Sequence, residues 1–377
     1  MVNKRRLIST IRKLISLDSQ NPPGDESRVA GFVAKYLRDL GLDVKTCSFK
    51  SKRTNVIATL KGRSGKSLLI TPHLDTVPAG KSWKTKPFLG KICGDKIYGL
   101  GTTDCKGNLA CAMEAVHSLV EEGAELDYNL VFAATADEES GSFLGLIPLL
   151  ERSILKVDAA VVLDADDFEI VVTQKGLMHL KVSIKGKKAH GAYPWLGVNA
   201  IDIAARIITD LKDQKISYKR NRYLREPTLN VGTIKGGDKV NVVSDWCEFE
   251  LDFRFLPGTS QKRILRNLKK TILRYSRNFK IDIQGIQEPY YINPGHPLVT
   301  HLVSAMRSAK VKWRISGSEG ATVITFFKAR NIPAVATGFG SEGCAHVADE
   351  YARVSNLYIG AQVLTEFLKN YSFSSAG

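Results

Sequence analysis

The feature that most constrains this chain is a repeated pairing of short apolar runs with acidic or imidazole residues just past their C-terminal ends. Leu130-Val131-Phe132-Ala133-Ala134 runs into Asp137-Glu138-Glu139, and Leu68-Leu69-Ile70 runs into His73-Leu74-Asp75. Val157 to Leu163 ends in Asp164-Ala165-Asp166-Asp167, and Ile332 to Gly338 precedes a loop carrying His346. Runs this short and uniformly apolar read as buried strands. Helical patterns lie between them, at about Leu109–Glu122 and Leu144–Arg152. Strands alternating with helices predict a mostly parallel sheet flanked by helices, with its chemistry along the carboxyl edge.

The periodicity changes near Gly176. Leu180 to Gly186 alternates apolar and polar residues, as do Thr228–Ile234 and Cys247–Phe255, which marks half-exposed antiparallel strands. With a helix from about Asn199 to Gln214, a basic helix over Gln261–Tyr275 and a strand at Lys280–Ile286, the order is strand–helix–strand–strand–helix–strand. That is a ferredoxin-like α+β arrangement. The chain therefore divides into a discontinuous α/β catalytic domain, 1–175 with 287–377, and an inserted domain, 176–286. Val354–Leu368 reads as a closing helix, and the tail from Ser372 onward as disordered.

Composition removes several classes. The 377 residues carry a net charge of +16, but Lys and Arg are spread along the chain. They lack the aromatic interleaving of single-strand binders, so a solvated basic face or attraction for anionic substrates accounts for them, without nucleic acid. No apolar stretch is long enough to cross a bilayer. The basic N-terminus leads into an amphipathic helix rather than a signal peptide, and the expected location is cytoplasmic. Cysteines 47, 93, 105, 111, 247 and 344 form no Cys-x-x-Cys pair, so neither a thiolate metal site nor a disulfide framework is expected. Cys105 reads as a small buried hydrophobe beside Asp104.

The residues at the strand ends and adjoining loops are His73, Asp104, Glu138, Glu139, Asp164 and His346. Two imidazoles and four carboxylates without thiolate suit zinc, cobalt or manganese. Five of the six could hold two divalent ions if one carboxylate bridges, leaving the sixth as a base. His73 and Asp75, two apart on an extended segment, face one side, so the carboxylate can orient the imidazole. Asp104, in a glycine-rich loop before a helix, reads locally as an N-terminal cap or as a ligand.

In order and spacing the chain resembles the co-catalytic metallopeptidases and deacylases that include acetylornithine deacetylase, succinyl-diaminopimelate desuccinylase, aminoacylase and glutamate carboxypeptidases. The resemblance runs through Ser19–Gly24, His73–Pro78, Gly99–Gly107, Asp137–Glu139, Ala189–Gly191, Gly236–Val243 and His346 with Asp349-Glu350. It implies that His73 and His346 bind different metals bridged by Asp104, with Glu139 on one and Asp164 on the other. It makes Asp75 the orienting group, Glu138 the general base, and His190 an oxyanion donor supplied in a homodimer. Asn241 and Arg254 would hold the substrate carboxylate. It implies a metal-dependent amidohydrolase acting on an N-acyl amino acid. Dipeptidase or carboxypeptidase activity, and a non-catalytic metal- or peptide-binding relative, are the alternatives. Two departures stand out. Asp164 occupies a place where the deacylase branch usually has Glu and some aminopeptidase and dipeptidase relatives have Asp. Ser316–Thr322, with Glu319, replaces a Gly-Gly-Thr-Asp pattern. His117, His179, His296 and His301 match no ligand position.

Overall fold

The computed structural model describes residues 1–213, 216–320 and 322–374. Gln214 of the expected helix, Ala321 of the Ser316–Thr322 segment and residues 375–377 of the tail lie outside them. The chain forms two compact units, Met1–Val172 with Ile292–Ser316 and Phe326–Gly377, and Thr173–Tyr291 with Gly317–Thr325.

The sheet of the first unit has four parallel strands at its centre, in the order Asn129–Ala134, Ser67–Thr71, Ala159–Leu163 and Ala334–Thr337. Antiparallel strands flank them: Asp43–Ser48 and Thr54–Leu60 on one side, Glu169–Gln174 on the other. The central strands are apolar throughout because both faces are covered, and Leu68, Leu69, Ile70, Phe132, Ala160 and Val161 have no exposed surface. Helices Lys4–Ser16, Ser27–Asp39, Lys106–Glu121, Pro297–Ser308 and Val354–Asn370 supply the covering layers. Each fully buried Leu or Ile they contribute, such as Leu7, Ile11, Leu109 and Leu364, is worth about 1.5–3 kcal/mol of transfer free energy. A small antiparallel sheet, Lys91–Cys93, Lys96–Tyr98 and Tyr351–Arg353, joins the glycine-rich loop to the segment after His346.

The tail corrects the expectation of disorder as far as Ser374. Phe373 packs edge-on against Tyr128 and against Tyr371, with ring centroids 6.0 and 5.1 Å apart. An aromatic residue that can bury its ring in this way has a reason to be ordered. Among the described residues, no helix is long and apolar enough to cross a membrane.

The second unit has the expected element order. Its four strands lie as Thr228–Gly236, Trp246–Phe255, Gly176–Lys185 and Phe279–Gln287, all antiparallel. Alternation is strict on Gly176–Lys185, where Met178, Leu180, Val182 and Ile184 are buried and their neighbours are not. That face meets Ile207 and Leu211 of helix Ala200–Asp213, and Ile264 and Leu268 of helix Gln261–Leu273. Segment Gly317–Thr325 belongs to this unit although it lies far along the chain.

Candidate metal centre

Strand ends deliver the site. His73 lies two residues past Ser67–Thr71, and a further parallel bridge from His73 to Thr135 carries the pairing with Asn129–Ala134 beyond the strands themselves. The acidic triplet then turns on Asp137, whose φ of 65° is left-handed, which Asp tolerates better than most residues. This turn carries Glu138 and Glu139. Asp164 follows Ala159–Leu163 directly. The neighbouring strand leaves through Gly338, where a Cβ would lie 1.6 Å from the Ala165 carbonyl oxygen, so only glycine fits.

Asp104 precedes the helix Lys106–Glu121, but Cys105 occupies the cap position and no side-chain cap bond forms. The local reading of Asp104 as a cap is thus corrected. Its carboxylate is drawn instead to two imidazoles, lying 2.7 Å from His73 Nε2 through Oδ1 and 3.0 Å from His346 Nε2 through Oδ2. His73 Nε2 is also 3.8 Å from Asp164, and His346 Nε2 is 3.1 Å from Glu139. Two donor clusters result, His73–Asp104–Asp164 and Asp104–Glu139–His346, with Asp104 common to both. Glu138 belongs to neither, and among the described residues its carboxyl has no hydrogen-bond partner.

The tautomer of His73 tests whether cations fit. Nδ1 lies 2.9 Å from the Asp75 backbone carbonyl, which can only accept, so Nδ1 carries the proton. A neutral His73 then points the lone pair of Nε2 at a carboxylate oxygen 2.7 Å away. Acceptor facing acceptor is repulsive unless a proton or a metal ion lies between. Two imidazoles facing Asp104, Glu139 and Asp164 form a donor set that divalent cations suit.

The electrostatics agree. Burial alone would raise the Asp104 carboxyl, but its bonds to His346 and His73 outweigh that and hold it well below the usual range. Burial, reinforced by the Asp164 charge, pushes Glu138 far above an ordinary glutamate. Burial also raises Glu139, against the pull of His346. Bonds to Asp104 and Glu139 push His346 up to about 10. Asp166 is pushed up to about 7 by burial and by the charges of Asp104 and Asp164.

Asp75 does something other than the spacing suggested. Its carboxylate stands 3.6 Å from His73 Nδ1, and the backbone carbonyl makes the orienting contact. The fully buried carboxylate instead accepts the backbone N–H groups of Glu138 and Glu139 at 3.0 and 3.2 Å. Glu350 plays a comparable part for the Asp104 loop, accepting the N–H groups of Gly101, Thr103 and Asp104 at 2.7, 2.7 and 3.1 Å. Only a short motif around His346 hinted at Glu350, and nothing local marks its partners. Cys105 is buried, its Sγ accepting the His73 N–H at 3.1 Å.

The remaining candidates lie in the second unit. His190 and Asn241 are neighbours at the short antiparallel pairing of Ala189–His190 with Val242–Val243, where the Gly191 N–H donates to the Asn241 carbonyl at 2.8 Å. Arg254 lies on Trp246–Phe255 and is bound in two places by Asp252, at 2.8 and 3.0 Å. Glu319 is paired with Lys175 at 2.5 Å and accepts the Arg225 N–H at 2.8 Å. The four excluded histidines have partners of their own: His117 bonds Tyr36, His179 faces Asp252, His296 caps Pro297–Ser308, and His301 meets the Pro297 carbonyl.

An α/β unit with paired donor clusters at its strand ends, a shared carboxylate and a separate acid has the donor set of a two-metal hydrolytic centre. The chain matches the model of Peptidase family M20/M25/M40 over residues 69–370 and belongs to that family. It is 27% identical over 379 residues to an acetylornithine deacetylase of Proteus mirabilis, covering 97% of this chain and 95% of that protein. Among solved structures, it is similar to the aminopeptidase PepT of Bacillus cereus, with a TM-score of 0.83 and 24% identity, covering 98% of each chain. A tripeptidase of Staphylococcus aureus gives a TM-score of 0.81 and 25% identity, again over 98% of each.

Proposed function

We propose that this chain is a cytoplasmic, homodimeric amidohydrolase that uses two divalent ions, zinc being the chemically apt choice, to cleave an N-acyl amino acid of the acetylornithine or succinyl-diaminopimelate type. The observation that carries the reading is the Asp104 carboxylate set between His73 and His346, with one further carboxylate beside each imidazole. In this reading His73, Asp104 and Asp164 hold one ion, and Asp104, Glu139 and His346 the other. Bound there, the ions supply a nucleophilic water at neutral pH and polarise the scissile carbonyl. Glu138, free of ligands and raised by burial, takes the proton from the attacking water and returns it to the departing amine. Asp75 fixes the backbone from which Glu138 projects. His190 donates to the developing oxyanion. Asn241 and Arg254 bind the substrate carboxylate, with Arg254 sharing its guanidinium between Asp252 and the substrate.

A peptidase using the same centre is the second reading. Asp164 in place of Glu and the likeness of the fold to an aminopeptidase and a tripeptidase favour it. One experiment separates them: amine release, with zinc or cobalt supplied and a chelated control, from N-acetylornithine, N-succinyl-diaminopimelate, other N-acyl amino acids and short peptides. Metal-dependent cleavage of an acyl amino acid supports the first reading. Cleavage of peptides alone replaces it with the second, and silence throughout leaves a binding role.

A further inference from the structure

Behind the acidic turn lies a buried charge network. Arg53 is 6% exposed, and its guanidinium donates from Nε to Glu26 Oε2 at 2.8 Å and from Nη2 to Glu26 Oε1 at 2.8 Å. The same Nη2 reaches Asp137 Oδ1 at 2.8 Å. Glu26 has no exposed surface, and it also accepts the Asp137 N–H at 3.3 Å. Asn21 closes the ring, donating through Nδ2 to Asp75 at 2.9 Å and to Asp137 at 3.3 Å. The other Asp137 oxygen accepts the Leu144 N–H at 3.0 Å. Gly24, at a φ of +79°, leaves room for the group, since a Cβ there would stand 2.3 Å from the guanidinium.

One cation therefore meets two buried carboxylates, Glu26 and Asp137, and Asn21 links them to a third, Asp75. Asp75 and Asp137 between them hold both ends of the turn that carries Glu138 and Glu139. A buried ion pair is poor evidence of net stability, because removal from water offsets most of its attraction. What it supplies is geometry: the bidentate grip of Arg53 on Glu26 leaves Nη2 with one direction, and Asp137 lies in it. Without the guanidinium, the Glu26 and Asp137 carboxylates repel although Glu26 accepts the Asp137 N–H, and the left-handed turn loses its anchor.

We infer that Arg53, acting with Glu26 through Asp137, is a positioning residue that fixes the Glu138–Glu139 turn against the metal centre. This rests on the reading of Glu138 as base and Glu139 as ligand given above. Lysine retains the charge but cannot bridge the two carboxylates in one plane, so Arg53→Lys tests the geometry rather than the charge. The measurements are zinc titration of the metal-free protein against a chromogenic chelator, and kcat and KM determined separately. Arg53→Lys and Asp137→Asn are expected to keep two zinc equivalents per chain, with the weaker one losing about 10- to 100-fold in affinity, as for outer groups at other metal sites. Where the protein turns over substrate, kcat falls by a similar factor while KM stays within about threefold. Millimolar guanidinium is expected to restore part of the lost zinc affinity of Arg53→Ala, and ammonium is not. A folded Arg53→Lys variant with wild-type zinc affinity and kcat overturns the proposal. If Arg53 variants do not fold, Asp137→Asn carries the test by the same readouts. If the wild-type protein cleaves no amide, the zinc titration still decides the positioning role, and only the reading of Glu138 as base is lost.

Discussion

At the scale of single residues, the centre separates groups with similar chemistry by their surroundings. Asp104, Glu138 and Glu139 are all carboxylates close to two imidazoles, yet Asp104 is held ionised by both rings while Glu138 is driven toward its protonated form by burial. A bridging ligand must remain ionised, and a base must be able to hold a proton, so the difference is compatible with the roles proposed for Asp104 and Glu138. Glu138→Gln is expected to bind two metals with wild-type affinity and to lose about 10²-fold or more in kcat; a variant retaining turnover would end the role of Glu138 as base. Asp104→Asn removes the shared donor, and the expected result is at most one tightly bound metal by elemental analysis after dialysis. The four excluded histidines illustrate the limit of reading residues singly. Their side chains are chemically identical to those of His73 and His346, and their place along the chain and the partners each meets separate them.

At the scale of elements, strands with both faces covered were the easiest to read, because burial leaves an uninterrupted apolar run. The same is true of the second unit, whose alternating strands follow a period of two. Asp43–Ser48 and Glu169–Gln174 gave no comparable signal. The first lies at a sheet edge and is mostly exposed, so its composition is polar. The second begins directly after the Asp166–Phe168 turn, whose acids mask its start. The loop bearing Asp104 is likewise an element held from a distance, by Glu350 across nearly 250 residues. Glu350→Gln leaves one acceptor oxygen where three backbone N–H groups converge. The expected cost is about 1–3 kcal/mol in urea unfolding of the metal-free protein. An unchanged midpoint with an unchanged slope would show that the loop is held by other means.

At the scale of the whole molecule, the centre concentrates negative charge inside a basic protein, and its stability follows from what compensates that charge. Any ligand that binds only the folded state stabilises it, so chelation is expected to lower Tm and stoichiometric zinc to restore it. The pH dependence of the metal-free protein has a definite sign. Asp166 and Glu350 are each pushed up to about 7, chiefly by burial. A carboxyl raised on folding contributes stability that is complete below its unfolded pKa and is lost as pH rises through the folded value. His346, raised to about 10 by Asp104 and Glu139, adds stability that is present below about 6.5 and lost on the way to 10. Both effects run in one direction, so Tm of the metal-free protein is expected to fall from pH 5 to pH 9. Asp104, held low, acts oppositely but only below its unfolded value. Metal held by His346 takes the place of its proton and is expected to reduce the slope; a metal-free Tm that rises over this range would refute the electrostatic account.

The sequence by itself determined the fold class, the ferredoxin-like order of the second unit and the members of the two donor clusters. The first two follow from local periodicity; the donors follow from chemically distinctive side chains at strand ends and adjoining loops, and their division into two sets from the family resemblance. Tertiary structure alone decided how those members are held. Arg53 and Glu26 are 27 residues apart and lie 84 and 111 residues from Asp137, so no spacing or motif marks them as partners. The same holds for the exchange of roles at Asp75, where the backbone carbonyl meets His73 and the carboxylate secures the acidic turn. Hydrogen bonds and ion pairs are contacts in space, and a pattern along the chain reveals only those that recur with a secondary-structure period.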